Sequence, residues 1–122
     1  MAHRILIVDD DPSIRKLLKI SLLSEGYEAV TAENGAKALQ YLDQHHADLV
    51  ILDIMMPHMD GWEVCKSIRD MHPDRQVKIL ILTALDTPRD KLIGKDLLHA
   101  NEYVTKPFDT DELLEMIRNM LA

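Results

Sequence analysis

Cysteine is almost absent from this chain: Cys65 stands alone, and no CxxC pair exists. An internal disulfide is therefore excluded, and the usage is that of an intracellular protein. Positive charge is also in deficit, with 14 Lys and Arg against 21 Asp and Glu and a net charge of −7. Such a balance argues against nonspecific binding to nucleic acid or to an anionic membrane. No apolar run approaches the ~20 residues of a membrane span. The opening "MAHRILIVDD" lacks the apolar core of a signal peptide. Glycine is scarce, and there is no low-complexity tract, internal repeat or linker. None of the six histidines forms a pair with metal-binding spacing. These absences leave a soluble, acidic, cytoplasmic chain forming one domain over residues 1–122. At 47% apolar and 29% charged residues, it has the composition and length to bury a real core.

Two patterns alternate along that length. Short apolar runs occur at "RILIVD", "YEAVTA", "ADLVILD", "VKILILT" and "NEYVTK", and segments of helical spacing follow them. Ile14, Leu17, Leu18 and Leu22 share one helical face, with Asp11 placed to cap, Pro12 at the first turn and Gly26 near the end. Ala38, Leu39 and Leu42 form a second stripe, and Val64, Ile68 and Met71 a third. Leu113, Ile117 and Leu121 mark the last helix, while Thr87 to His99 carries the weakest helical pattern. Repeated strand–helix alternation predicts a parallel sheet covered on both faces. "ILIV", "LVIL" and "ILIL" do not alternate with polar residues, as expected of central parallel strands. The second and fifth runs are more polar and suit the edges.

The first run ends in three consecutive carboxylates, Asp9, Asp10 and Asp11. Clustered like charges are unfavourable unless something positive compensates. Asp11 is accounted for as a helix cap. The third run ends in Asp53, the fourth in Thr83, and the fifth is followed by Lys106. Ligands of open parallel sheets bind beyond the carboxyl ends of the strands. If these strands are neighbours, Asp9, Asp10 and Asp53 meet Thr83 and Lys106 on one rim. An oxygen-rich site of this kind suits Mg²⁺, which would supply the missing positive charge beside Lys106.

"IVDDDP", "LDIMMPHMDGWE", "LTA" and "YVTKPF", in this order and spacing, resemble a response-regulator receiver domain of two-component signalling. The resemblance runs from Arg4 to the final helix. It implies a flavodoxin-like, doubly wound α/β fold with a five-stranded parallel sheet in the order 2-1-3-4-5 and five helices. It further implies that Asp53 is the phosphoacceptor, charged by a histidine kinase or a phosphotransfer protein. Asp10, Asp53 and the backbone carbonyl of Met55 would bind Mg²⁺, with Asp9 acting mainly through water. Thr83 and Lys106 would contact the phosphoryl oxygens, and Tyr103 would be the aromatic switch residue. A cis Lys106-Pro107 bond would aim Lys106 into the site. Output to a partner or an attached domain would pass through the face formed by the fourth helix, fifth strand and fifth helix. Neither nucleic acid nor membrane would be contacted directly by this domain. Met55 and Leu85 would flank the path of attacking water, and their apolar side chains imply a long-lived phospho-Asp53.

Phosphoryl transfer needs an in-line nucleophile with cations and donors on the equatorial oxygens, and these residues supply that set. No second base is evident for activating water, so the chain reads as a switch that holds a phosphoryl group rather than a turnover enzyme. Two other readings compete. A pseudo-receiver would usually lack one of Asp10, Asp53 or Lys106, and all are present. An aspartyl phosphatase would typically carry an acid two residues after its nucleophile, where this chain has Met55. The family pattern is altered in places. The stretch between Thr83 and Lys106 is one residue longer than usual, and His99 replaces the usual Gly. Met116 stands where winged-helix regulators commonly carry an Arg of their dimer face.

Overall fold

The computed structural model describes residues 2–56, 59–71, 77–84 and 100–122. In chain order the elements are β1 (Arg4–Val8), α1 (Pro12–Ser24), β2 (Glu28–Ala32), α2 (Gly35–Gln44) and β3 (Leu49–Leu52). There follow β4 (Met55–Met56), β5 (Met59–Asp60), α3 (Gly61–Met71), β6 (Lys78–Thr83), β7 (Glu102–Thr105) and α4 (Thr110–Leu121).

The apolar runs pair as parallel strands in the order β2-β1-β3-β6-β7. Because successive side chains of a strand point to opposite faces, each central strand feeds two cores. Leu6, Val8, Val50, Leu52, Ile79 and Ile81 pack with Ala38 and Leu42 of α2 and Val64 and Ile68 of α3. Ile5, Ile7, Leu49, Ile51, Leu80 and Leu82 pack with Leu18 and Leu22 of α1 and Leu113, Leu114 and Ile117 of α4. The helical stripes are thus the lids of a sheet buried on both sides, with one correction: Leu17, expected on the buried face of α1, is 44% exposed, and Leu18 and Leu22 carry the contact. Local chemistry fixes their ends. The Asp11 side chain accepts from the Ser13 amide at 2.8 Å, with Pro12 in the first turn. Past the other end of α1, Gly26 takes φ 89°, and the Tyr27 amide returns to the Leu22 carbonyl at 3.1 Å.

The expectation of five helices is corrected: the described residues hold four. The stretch from Thr87 to His99 lies outside the described residues. In sequence it is the segment where charged residues and Gly94 interrupt the apolar stripe. A second addition is the antiparallel pair β4–β5, with Met55 opposite Asp60 and Met56 opposite Met59. Strands of two residues are too short to show any periodicity. No helix among the described residues is long and apolar enough to cross a membrane.

Candidate functional site

The rim at the carboxyl ends of β1, β3 and β6 is built by extending the strand ladders one step. The Asp53 amide donates to the Val8 carbonyl at 2.9 Å, and the Asp9 amide to the Ala32 carbonyl at 3.3 Å. Both carboxylates are therefore seated on the sheet itself, with Asp9 2% and Asp53 4% exposed. Asp10 is exposed beside them, and one oxygen from each of Asp9, Asp10 and Asp53 lies within 4.8 Å of the others. Lys106 reaches in from the loop after β7, behind a cis Lys106-Pro107 bond. Its Nζ donates to Asp9 Oδ2 at 2.8 Å and to Asp53 Oδ2 at 2.9 Å.

Turn geometry occupies the remaining inner oxygens. Asp9 Oδ1 accepts from the Asp11 amide at 2.9 Å, and Asp53 Oδ1 from the Met55 amide at 2.9 Å. Arg15 adds a contact that sequence reading missed: its guanidinium donates to the Asp9 carbonyl at 2.8 Å. Only its position one turn into the helix after the acids could have hinted at it. Thr83 closes β6 on the same rim, fully buried, and its Oγ1 has no hydrogen-bond partner among the described residues. An orphaned buried hydroxyl is costly unless a ligand completes it.

Charge balance decides what the site can hold. Burial is the largest influence on the Asp9 carboxyl and pushes its pKa up, although Lys106 and the Asp11 amide pull the other way. Burial also opposes the ammonium of Lys106, but hydrogen bonds to Asp9 and Asp53 outweigh it and raise its pKa. Shared between two carboxylates, one ammonium secures its own charge without fully compensating Asp9. With Asp10 added, three carboxylates face the Lys106 ammonium and the Arg15 guanidinium seated on the Asp9 main-chain carbonyl, which leaves negative charge in excess among the described residues. An all-oxygen set deficient in positive charge fits a hard divalent cation that keeps part of its water shell, namely Mg²⁺. The three acids are placed to coordinate Mg²⁺ together.

The remaining residues singled out from sequence are more dispersed. Met55 lies on β4 with its side chain half exposed at the rim. Tyr103 is half-buried on β7, paired in register with Ile81 and packed against the α2–α3 side of the core. Leu85 lies outside the described residues. Cys65 is buried without a disulfide, and its thiol pKa is pushed up to about 11, chiefly by burial.

Comparison with known proteins agrees with this fold. The family profile described as "Response regulator receiver domain" matches residues 5–118. The probable transcriptional regulator ycf27 of Guillardia theta is 48% identical over 119 residues, covering 98% of this chain and 45% of that protein. The chain spans about half the length of the curated relatives it matches. Among solved structures, Vibrio cholerae chemotaxis protein CheY4 superposes with a TM-score of 0.91 at 33% identity, covering 98% of this chain and 99% of that one. The response regulator TrrA of Thermotoga maritima, solved in complex with Mg²⁺ and BeF, gives 0.81 at 47% identity, covering 97% and 98%.

Proposed function

This chain belongs to the response regulator receiver domain family, and from that premise we propose that Asp53 is its phosphoacceptor and that residues 1–122 act as one receiver unit. A member of this family is a signalling switch rather than a classical catalytic enzyme, and its phosphoacceptor chemistry is Mg²⁺-assisted. The observation that carries the assignment of roles is the convergence of Asp9, Asp10 and Asp53 within 4.8 Å, with Lys106 bridging two of them.

In the proposed reaction a carboxylate oxygen of Asp53 attacks the phosphorus of a phosphohistidine on a kinase or phosphotransfer protein. The O–P bond forms as the N–P bond breaks, the electron pair returns to the imidazole, and an acyl phosphate results. Asp10, Asp53 and the Met55 carbonyl would hold Mg²⁺, with Asp9 acting mainly through water, and the ion would supply positive charge to the incoming oxygens. Lys106 exchanges a carboxylate contact for a phosphoryl oxygen, and the orphaned Thr83 hydroxyl donates to another. Seating Thr83 on the phosphoryl group withdraws it along β6. The half-buried Tyr103 on adjacent β7 can then turn inward. The readout is a change on the expected output face, of which β7 and α4 (the fifth strand and fifth helix of the sequence reading) lie among the described residues and the expected fourth helix does not, presented to a partner or an attached output domain in the cytoplasm.

Incubation with beryllofluoride and Mg²⁺, read by ¹⁹F NMR, tests the assignment. Wild type should form one stable adduct that Asp53→Ala abolishes, with hydrogen-exchange changes extending into β7 and α4. An absent adduct would favour the pseudo-receiver, and rapid turnover of added phosphate esters the phosphatase.

A further inference from the structure

Arg15 stands at the rim, yet the proposed reaction gives it no part. It lies one turn into α1, half-buried, and its guanidinium donates to the Asp9 carbonyl at 2.8 Å. The buried acids turn elsewhere, since Asp9 and Asp53 both bond to Lys106. The carbonyl that Arg15 takes has lost its strand partner. The Asp9 amide still bonds to the Ala32 carbonyl at 3.3 Å, but β2 ends at Ala32 and Asn34 already caps α2. No main-chain amide among the described residues reaches the Asp9 carbonyl, so Arg15 supplies the missing rung.

What that rung holds is the peptide leading into Asp10. The Asp10 side chain is exposed, and no hydrogen bond among the described residues fixes it. Its direction therefore comes from the backbone on either side. Before it, the Asp9 carbonyl is pinned by Arg15; after it, the Asp11 amide is pinned by Asp9 Oδ1 at 2.9 Å. Arg15 is itself fixed, because its own amide donates to the Asp11 carbonyl at 3.1 Å. Side chain and main chain of one residue thus close a brace around Asp10. A planar guanidinium on a long stem reaches back this far while losing little freedom per hydrogen bond. Its charge works the other way, because a cation beside the acids repels a divalent ion. We propose that Arg15 is a positioning residue of the metal site, which aims the Asp10 carboxylate at Mg²⁺ by holding the Asp9–Asp10 peptide. This role rests on the reading of Asp10 as a Mg²⁺ ligand.

The hydrogen bond and the charge of Arg15 act on Mg²⁺ affinity with opposite signs, so one measurement separates them. Mg²⁺ titration of the full chain, followed by amide NMR, gives Kd for wild type and variants. Arg15→Met keeps the stem but removes both the donor and the charge. Groups that orient a metal's ligands contribute roughly 10–100-fold in affinity, so Kd should rise at least about tenfold. If the charge alone mattered, Kd would fall instead. Arg15→Lys restores a donor of similar reach and should recover most of the loss. Arg15→Gln, too short to reach the carbonyl, should behave like Arg15→Met and serves where that variant does not fold. Urea midpoints of the metal-free forms are read alongside, because a brace with only a structural role would lower them and leave the Kd of folded protein unchanged. An unchanged or lower Kd in the shortened variants would overturn the proposal, as would a rise that Arg15→Lys leaves uncorrected. Wild type that binds no Mg²⁺, or Asp10→Asn that binds it as tightly, would instead overturn the ligand reading beneath it. That result is distinct from Asp10-dependent binding that Arg15 does not influence.

Discussion

A Cβ on Gly61 would lie within 2.6 Å of the Ile54 carbonyl oxygen and nearer still to the Ile54 Cα. The backbone after Asp53 thus passes directly over the start of α3, and only a residue without a side chain permits it. Gly61→Ala must push the segment carrying Met55 away, and it should cost about 1–3 kcal/mol by overpacking. Urea denaturation checks this; an unchanged midpoint would show that the segment yields freely. Met55 itself is 51% exposed at the rim while its amide holds Asp53. A thioether cannot orient water, whereas an Asn amide can. On the proposed role of Asp53 as phosphoacceptor, Met55→Asn should therefore shorten the life of its acyl phosphate, and a tenfold change needs only ~1.4 kcal/mol off the hydrolytic barrier. Decay of the phosphorylated form after donor removal is the measurement, and equal lifetimes would rule out gating by this side chain.

The sheet is also anchored at its other end. The Asp48 side chain accepts from the Arg4 amide at 2.7 Å and lies 2.9 Å from His46 Nε2. Its carbonyl accepts from the Lys78 amide at 3.0 Å, so one residue registers the starts of β1, β3 and β6. Burial works against the Asp48 carboxylate, but the Arg4 amide and His46 outweigh it and lower its pKa below the ordinary 3.8. A depressed carboxyl binds fewer protons folded than unfolded. Its stabilisation is present above the unfolded value and lost as pH falls through the folded one. Asp48→Asn should then cost about 1 kcal/mol at neutral pH, and the gap to wild type should close below pH 3.8. Denaturation curves across that range decide it, since a constant gap would mean that the ionised form contributes nothing. These elements were largely legible in the sequence. Unalternating runs such as "ILIV" announced strands buried on both faces, and Asp11-Pro12 announced the start of α1. What was not legible was short or weakly patterned: β4 and β5 are held by tertiary position, and the segment read as an additional helix had no clean stripe.

At the scale of the whole molecule, the site concentrates the imbalance written into the net charge of −7. Its convergence could be read from sequence because parallel strands end on one rim, so acids at the ends of β1 and β3 must meet. The Arg15 contact and the orphaned Thr83 hydroxyl could not, since both depend on side-chain directions that no strand pattern encodes. The acids are a liability to the metal-free fold, because one ammonium is shared between two of them and Asp10 stands beside the pair. Mg²⁺ binds only where the fold brings the three together, so it must stabilise the native state by mass action. At a concentration one hundred times its Kd the stabilisation is about 2.7 kcal/mol. The melting temperature of wild type should accordingly rise on adding Mg²⁺ and fall back with chelator. Asp10→Asn removes both a like charge and a proposed ligand, so its metal-free form should melt above wild type while its response to Mg²⁺ collapses. Paired melts of the two proteins, with and without the ion, separate the possibilities. A wild type indifferent to Mg²⁺ would sink the metal assignment, and an Asp10→Asn variant that still responds fully would move the ligand set away from Asp10.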